Sequence, residues 1–190
     1  MPLRVVVVGI PGVGKTTVLD GVVAGYPGSK LVNFGTLMFE AAKALKWVKD
    51  RDEMRKMTVE RQKRLQRIAA GRISKMKGSV ILVDTHAFIR TGEGFWPGLP
   101  FEVVRGMQPT HLVLVEAAPD EIATRRASDG TRKRDAVDVE SLREELGIAR
   151  TYLAVSSSLT GAPMMVVQNA QGKQGEVSES IVRMLEQAKR

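Results

Sequence analysis

The chain contains no cysteine. Disulfides, zinc–cysteine sites and thiol nucleophiles are thereby excluded, and a reducing, cytoplasmic setting is expected. Aromatic residues are also scarce, with five Phe, two Trp and two Tyr among 190 residues. That leaves little material for a platform on which bases could stack. No apolar run approaches the ~20 residues that span a bilayer, so no membrane association is expected. The opening MPLRVVVVG is cut short by Gly9 and does not read as a signal peptide. Internal repeats and low-complexity linkers are missing as well. Acidic charge is in deficit: 21 Asp and Glu face 29 Lys and Arg, a formal net charge of +8. Such a balance suits nucleic acid or small substrates with several phosphate charges. The basic residues form no tail but crowd residues 43–77 and 125–143, inside the expected globular body. Nucleic acid is therefore not expected to be the main partner.

What is present is a regular alternation of strand and helix patterns, at a length that suits one domain with a full core. Apolar, β-branched runs predict strands at 4–8, 30–34, 80–83, 111–115 and 164–168. Helices are predicted from 15 to the Gly25-Tyr26-Pro27-Gly28 stop, and over 36–45, 58–76, 119–127, 139–158 and 177–189. Asp50-Arg51-Asp52 reads as a break, the glycine- and proline-rich stretch 91–100 (TGEGFWPGLP) as a loop, and 128–138 as an aperiodic polar segment. Right-handed crossovers turn this order into an α/β fold, a five-stranded parallel sheet with helices on both faces.

Gly9-Ile10-Pro11-Gly12-Val13-Gly14-Lys15-Thr16 matches the phosphate-loop pattern G-x-x-x-x-G-K-[ST] at every required position, with Thr17 following. Glycines let the backbone turn tightly with its N–H groups inward, and the helix that opens there favours an anion at its N-terminus. Lys15 is placed to reach β and γ oxygens, and Thr16 to offer a hydroxyl to Mg²⁺. A structural glycine turn is the plain alternative, but the position between a strand and a helix favours the phosphate cradle. Asp84 ends the apolar strand VILVD, which sets its carboxylate at the sheet edge where a metal-orienting acid belongs. Capping of the next turn is its competing role.

A phosphate loop alone does not choose a reaction. No N/T-K-x-D segment for guanine is present, and the chain is short for a motor ATPase. Five arginines, Arg125, Arg126, Arg132, Arg134 and Arg143, fall within nineteen residues. An exposed charged loop would look similar. Following a phosphate loop, however, they suit a lid that clamps a transferring phosphoryl group and excludes water.

GIPGVGKTT, VNFGTLM, ILVDTH, GFWPGLP, TRKRD and VVQNAQG together resemble the archaeal-type adenylate kinases, P-loop nucleoside monophosphate kinases, over essentially the full length. The resemblance implies one kinase domain over 1–190, nucleotide-binding helices at 36–77 and a short lid at 128–138. It also implies ATP + AMP ⇌ 2 ADP with Mg²⁺, a cytoplasmic location and a homotrimer. By the same resemblance, Gly9 to Thr17 hold the ATP phosphates, with Asn169 and Gly172 passing backbone contacts to adenine. Lys15, Arg126, Arg132, Arg134 and Arg143 act on the transferring group, and Thr16 and Asp84 on the metal. Asn33, Phe34, Gly35, Thr36, Arg55, His86 and Arg90 face AMP. The bacterial and eukaryotic enzymes bind the AMP phosphate with an arginine where this chain has Phe39, so Arg55, Arg61 and Arg90 are the candidate replacements. The rival readings are another nucleoside monophosphate or a small alcohol such as shikimate as acceptor, and a nucleotide-dependent RNA-binding factor.

Overall fold

The computed structural model describes residues 2–128 and 138–189. β1 (Leu3–Val8) lies at the centre of a parallel sheet and leads through the glycine turn into α1 (Lys15–Gly25). β2 (Ser29–Asn33) follows, then three helices, α2 (Phe34–Ala44), α3 (Arg51–Arg55) and α4 (Val59–Ser74). β3 (Val80–Asp84) returns to the sheet, β4 (Phe88–Thr91) and β5 (Gly94–Pro97) pair with each other, and α5 (Phe101–Met107) precedes β6 (His111–Glu116). The chain ends with α6 (Pro119–Ser128), α7 (Val139–Thr160), β7 (Met164–Gln168) and α8 (Gln174–Gln187).

The strand order is β2-β3-β1-β6-β7, all parallel, as the alternation demands. Val5 to Val8 and Val80 to Val83 are fully buried, which is why those runs are continuously apolar rather than alternating. From β1 the chain runs to the edge strand β2, returns as β3 beside β1, and then crosses to β6 on the other side. A crevice therefore opens at the C-terminal ends of these strands. Register puts Asp84 level with both Val7 and Asn33 at that edge.

Two stretches depart from the sequence reading. Within and just before 91–100, β4 and β5 form an antiparallel hairpin, pairing Ile89 with Trp96 and Arg90 with Phe95. Phe88, Phe95 and Trp96 favour a pleated surface, and Phe88 meets Phe95 edge-on with centroids 5.0 Å apart. The glycines that suggested a plain loop instead supply its turn, and Pro97 sits at the strand end, where a lost donor is tolerated. Residues 50–52 do not simply break the helical pattern. Asp50 caps α3, its carboxylate accepting from the N–H groups of Asp52 and Glu53 at 2.9 and 2.8 Å. α5, unmarked in the sequence, packs on α4 and α7.

Two apolar clusters result among the described residues. The larger belongs to the sheet and its covering helices. The smaller joins Ala41, Ala42, Val48 and Leu65 inside the 36–77 segment, with Phe39, Trp47 and Met54 packed around it.

Candidate active site

The glycine turn between β1 and α1 is fixed from outside by its carbonyl groups. Val13 O accepts from Asn169 Nδ2 at 2.7 Å and from Arg125 Nη1 at 3.3 Å. Pro11 O accepts from Arg126 Nε at 2.8 Å, and Gly9 O from His86 Nδ1 at 3.2 Å. A peptide plane whose carbonyl is held outward turns its N–H the other way, so these bonds shape a concave surface of donors. Gly14 stands at φ +81°, and a Cβ there would come 2.5 Å from Asn169 Nδ2. No other residue type fits both the backbone and the neighbour. Gly14 is also the N-cap of α1 and offers no side-chain cap to its first N–H groups. An anion is what satisfies them.

Asn169 is fully buried just beyond β7. Its own N–H donates to Glu116 O at 2.7 Å, and its carbonyl accepts from Arg125 Nη2 at 3.0 Å. Both backbone groups are thus engaged within the protein, and the side chain acts as a clamp on the loop. The adjoining Glu116 is itself fully buried and accepts from Arg150 at 2.7 and 2.6 Å and from Gln168 Nε2 at 2.7 Å. That pairing raises the Arg150 pKa. Gly172 takes φ +76° in an exposed turn before α8.

Lys15 opens α1 with its side chain buried, its ammonium paired with the carboxylate of Asp84. Burial lowers its pKa from 10.5 to about 8, while the ion pair opposes deprotonation. The second Asp84 oxygen accepts from Asn33 Nδ2 at 2.8 Å. Asn33 in turn caps α2, its Oδ1 accepting from Thr36 N at 2.9 Å. Loop lysine, strand-end acid and the start of the helical segment are therefore one connected unit. Thr16 and Thr17 are exposed on the first turn of α1.

A cavity of about 720 Å³ opens beside this unit. Its walls bring together Ile10, Pro11, Asn33, Phe34, Gly35, Asp84, His86, Arg90 and Arg126 from among the residues expected from the sequence. Gly98 closes the hairpin against His86 so tightly that a Cβ would lie 2.3 Å from the His86 carbonyl oxygen. Thr36 contributes from behind, its hydroxyl accepting from Arg51. Arg143 lies away from these walls, 62% exposed in its side chain and paired with Glu140 at 3.0 Å on the outside of α7. Arg61 is likewise outside, over the ring of Trp47 at 5.2 Å. Arg55 falls within α3. Arg132 and Arg134 lie outside the described residues.

Three of the wall residues that sequence reasoning did not single out carry polar groups into the site. Arg51 lines the cavity, donating to Thr36 Oγ1 at 2.9 Å with its guanidinium 5.3 Å from the centroid of the Phe39 ring. Glu145 projects from α7 and is 5% exposed. It sits on the same face as the buried Leu142, Leu146, Ala149 and Leu153, and a charge on that apolar stripe was the available signal. Gln66 is buried on α4, its Nε2 donating to Gly98 O at 3.3 Å and its Oε1 left without a partner.

Comparison with known proteins places this geometry. A family profile described as an AAA domain matches residues 8–143. The adenylate kinase of Thermoplasma volcanium is 43% identical over 183 residues, covering 96% of this chain and 99% of that one. Those of Methanocaldococcus jannaschii and Pyrococcus horikoshii are 43% and 40% identical, covering 87% and 99% of this chain and 88% and 97% of theirs. The chain belongs to the adenylate kinase family. It is accordingly a nucleotide-binding phosphotransferase of the P-loop type. Among solved structures, the shikimate kinase of Acinetobacter baumannii, in complex with shikimate, superposes with a TM-score of 0.64 at 13% identity, covering 100% of this chain and 96% of that one. The shikimate kinase of Aquifex aeolicus gives 0.59 at 15% identity, covering 98% of each chain. At those identities the likeness concerns the fold alone. Among the described residues, no helix is long and apolar enough to cross a membrane.

Proposed function

We propose that this protein transfers the γ-phosphoryl group of ATP to AMP, reversibly, giving two ADP. One observation carries the reading: a single cavity has the phosphate loop as one wall and the helical segment 36–77 as the other. Phosphoryl transfer asks for two phosphate chains held in line and their charge neutralised, with little covalent work by the protein. On the donor side, Gly9 to Thr17 hold the ATP phosphates by their backbone, and Lys15 leaves Asp84 for the β and γ oxygens. Arg126 reaches the transferring group, and the resemblance assigns Arg132, Arg134 and Arg143 to the same task. On the acceptor side Asn33, Phe34, Gly35, Thr36 and His86 line the AMP site with Arg55 nearby, and Arg51 and Arg90 neutralise its phosphate. Arg51 thus answers for Phe39: the ring carries the guanidinium from a different helix.

Mg²⁺ fits the groups available. Among the described residues no cluster of three or more His, Asp or Glu forms a metal cage. Asp84 and the Thr16 hydroxyl are hard oxygen donors beside the loop, and Mg²⁺ is commonly held by few protein ligands, phosphate oxygens and retained waters. When bound, the ion neutralises charge developing on the β and γ oxygens. A homotrimer in the cytoplasm completes the proposal, and light scattering on the 20.8 kDa chain tests its oligomeric part.

The acceptor is tested by a panel of nucleoside monophosphates and shikimate, with ATP and Mg²⁺, following nucleoside diphosphate formation. AMP is expected to be the preferred acceptor. ADP formation no faster with AMP than without an acceptor would end the reading.

A further inference from the structure

Three cations of the cleft, Lys15, Arg90 and Arg126, are neutralised by the protein's own carboxylates. Lys15 is held by Asp84, and a second carboxylate, Glu145, serves two arginines at once. Its Oε2 accepts from Arg126 Nη2 at 2.9 Å, and its Oε1 accepts from Arg90 Nη1 at 3.4 Å. The Arg126 side chain is only 9% exposed, and its Nε is already committed to Pro11 O of the phosphate loop. Arg90 comes from the hairpin opposite, more exposed, with Glu144 a further 3.8 Å contact. The bridge therefore spans the cavity from the donor loop to the hairpin. Two guanidiniums this near one another repel unless an anion lies between them. Glu145 supplies one that is covalently tethered and buried.

We infer that Glu145 is a place-holder anion, occupying in the empty cleft the position that substrate phosphates take between Arg126 and Arg90. This rests on the phosphotransferase reading above. A phosphate chain offers more charge and more acceptor oxygens than one carboxylate, so it captures both arginines and displaces Glu145. The carboxylate then competes with substrate before binding and helps to eject product afterwards. It is a positioning residue: it touches the arginines, not the reacting atoms.

The test is equilibrium titration with inorganic tripolyphosphate, which needs no turnover, on the wild type, Glu145→Gln and Glu145→Asp. Removing the competing charge is expected to tighten tripolyphosphate binding about tenfold in Glu145→Gln, the size of one charge-assisted hydrogen bond. Glu145→Asp keeps the charge and should stay within a few-fold of wild type. In turnover, Glu145→Gln should lower KM for ATP and also lower kcat, because product leaves more slowly. A carboxylate that merely orders Arg126 predicts the reverse, weaker binding and a raised KM, and that result overturns the proposal. Loss of the folded state in Glu145→Gln but not in Glu145→Asp, seen by thermal unfolding, would also overturn it. Absence of tripolyphosphate binding in all three proteins would instead remove the phosphate-site reading itself.

Discussion

The two walls of the cleft are made of different materials. The donor wall is backbone: a loop at the end of a buried sheet, its carbonyls pinned by Asn169, Arg125, Arg126 and His86. The acceptor wall is side chains on three helices with a small core of their own. Charge divides the same way. Residues 36–77 contain thirteen of the 29 Lys and Arg but only five of the 21 Asp and Glu, a net +8. The remaining chain is balanced, so the whole excess sits in this one segment. Backbone dipoles prepare a phosphate site without net charge, whereas the helical wall carries the chain's excess of cations. Exposed Lys63, Arg64 and Arg67 add to that field without touching the cavity.

The contrast can be broken most forcefully at Lys15. Lys15→Ala should reduce kcat on the order of 10³-fold, the cost of losing one preorganised charge at the transferring group. The fold should persist, because the pins on the loop do not involve the lysine. Near-wild-type turnover, alongside an unchanged circular dichroism spectrum, would detach the loop from the chemistry.

Leu65→Ala addresses the other wall. Deleting a fully buried Leu costs ~2–5 kcal/mol, and here the loss falls on the smaller core. Hydrogen exchange should show α2 and α4 losing protection while β1 and β3 keep theirs. Equal loss throughout would mean that the insertion and the sheet unfold as one unit.

Arg51→Ala should raise KM for AMP about tenfold and leave KM for ATP unchanged, as expected for a charge that meets only the acceptor. Initial rates with each nucleotide varied in turn would show the split. Equal effects on both nucleotides would remove the distinction between the walls.

The smallest effect is with pH. Lys15 in the empty protein titrates near pH 8, so capture of ATP should hold steady below that value and weaken above it. Capture of AMP by arginines should not follow the same curve. For stability the sign runs the other way. The folded lysine releases its proton near pH 8 and the unfolded one near 10.5, so between these values the unfolded chain binds more protons. The burial penalty is complete below about pH 8 and is relieved as pH rises toward 10.5. Thermal unfolding across that range measures it.

Legibility in the sequence followed the same division. The phosphate loop, Asp84 and the five strands are local patterns with a fixed period, and each could be read without knowing its neighbours. The β4–β5 hairpin was obscured because Gly92, Gly94 and Pro97 signal a turn more loudly than Phe95 and Trp96 signal a strand. Arg51 was passed over because Asp50 reads equally as a breaker and as a cap, and only the fold brings α3 against Phe39. Asn169 carried no hint that it would reach back across 156 positions to hold Val13. Glu145 did leave a mark, a carboxylate on an apolar helix face, but its two partners come from distant segments.

The most direct measurement is the stoichiometry of ADP formed per ATP consumed by the purified protein, with and without AMP. Direct transfer between the two walls predicts two ADP for each ATP in the presence of AMP and almost no consumption in its absence. One ADP per ATP, at the same rate whether or not AMP is supplied, would show water as the acceptor and contradict a two-nucleotide cleft.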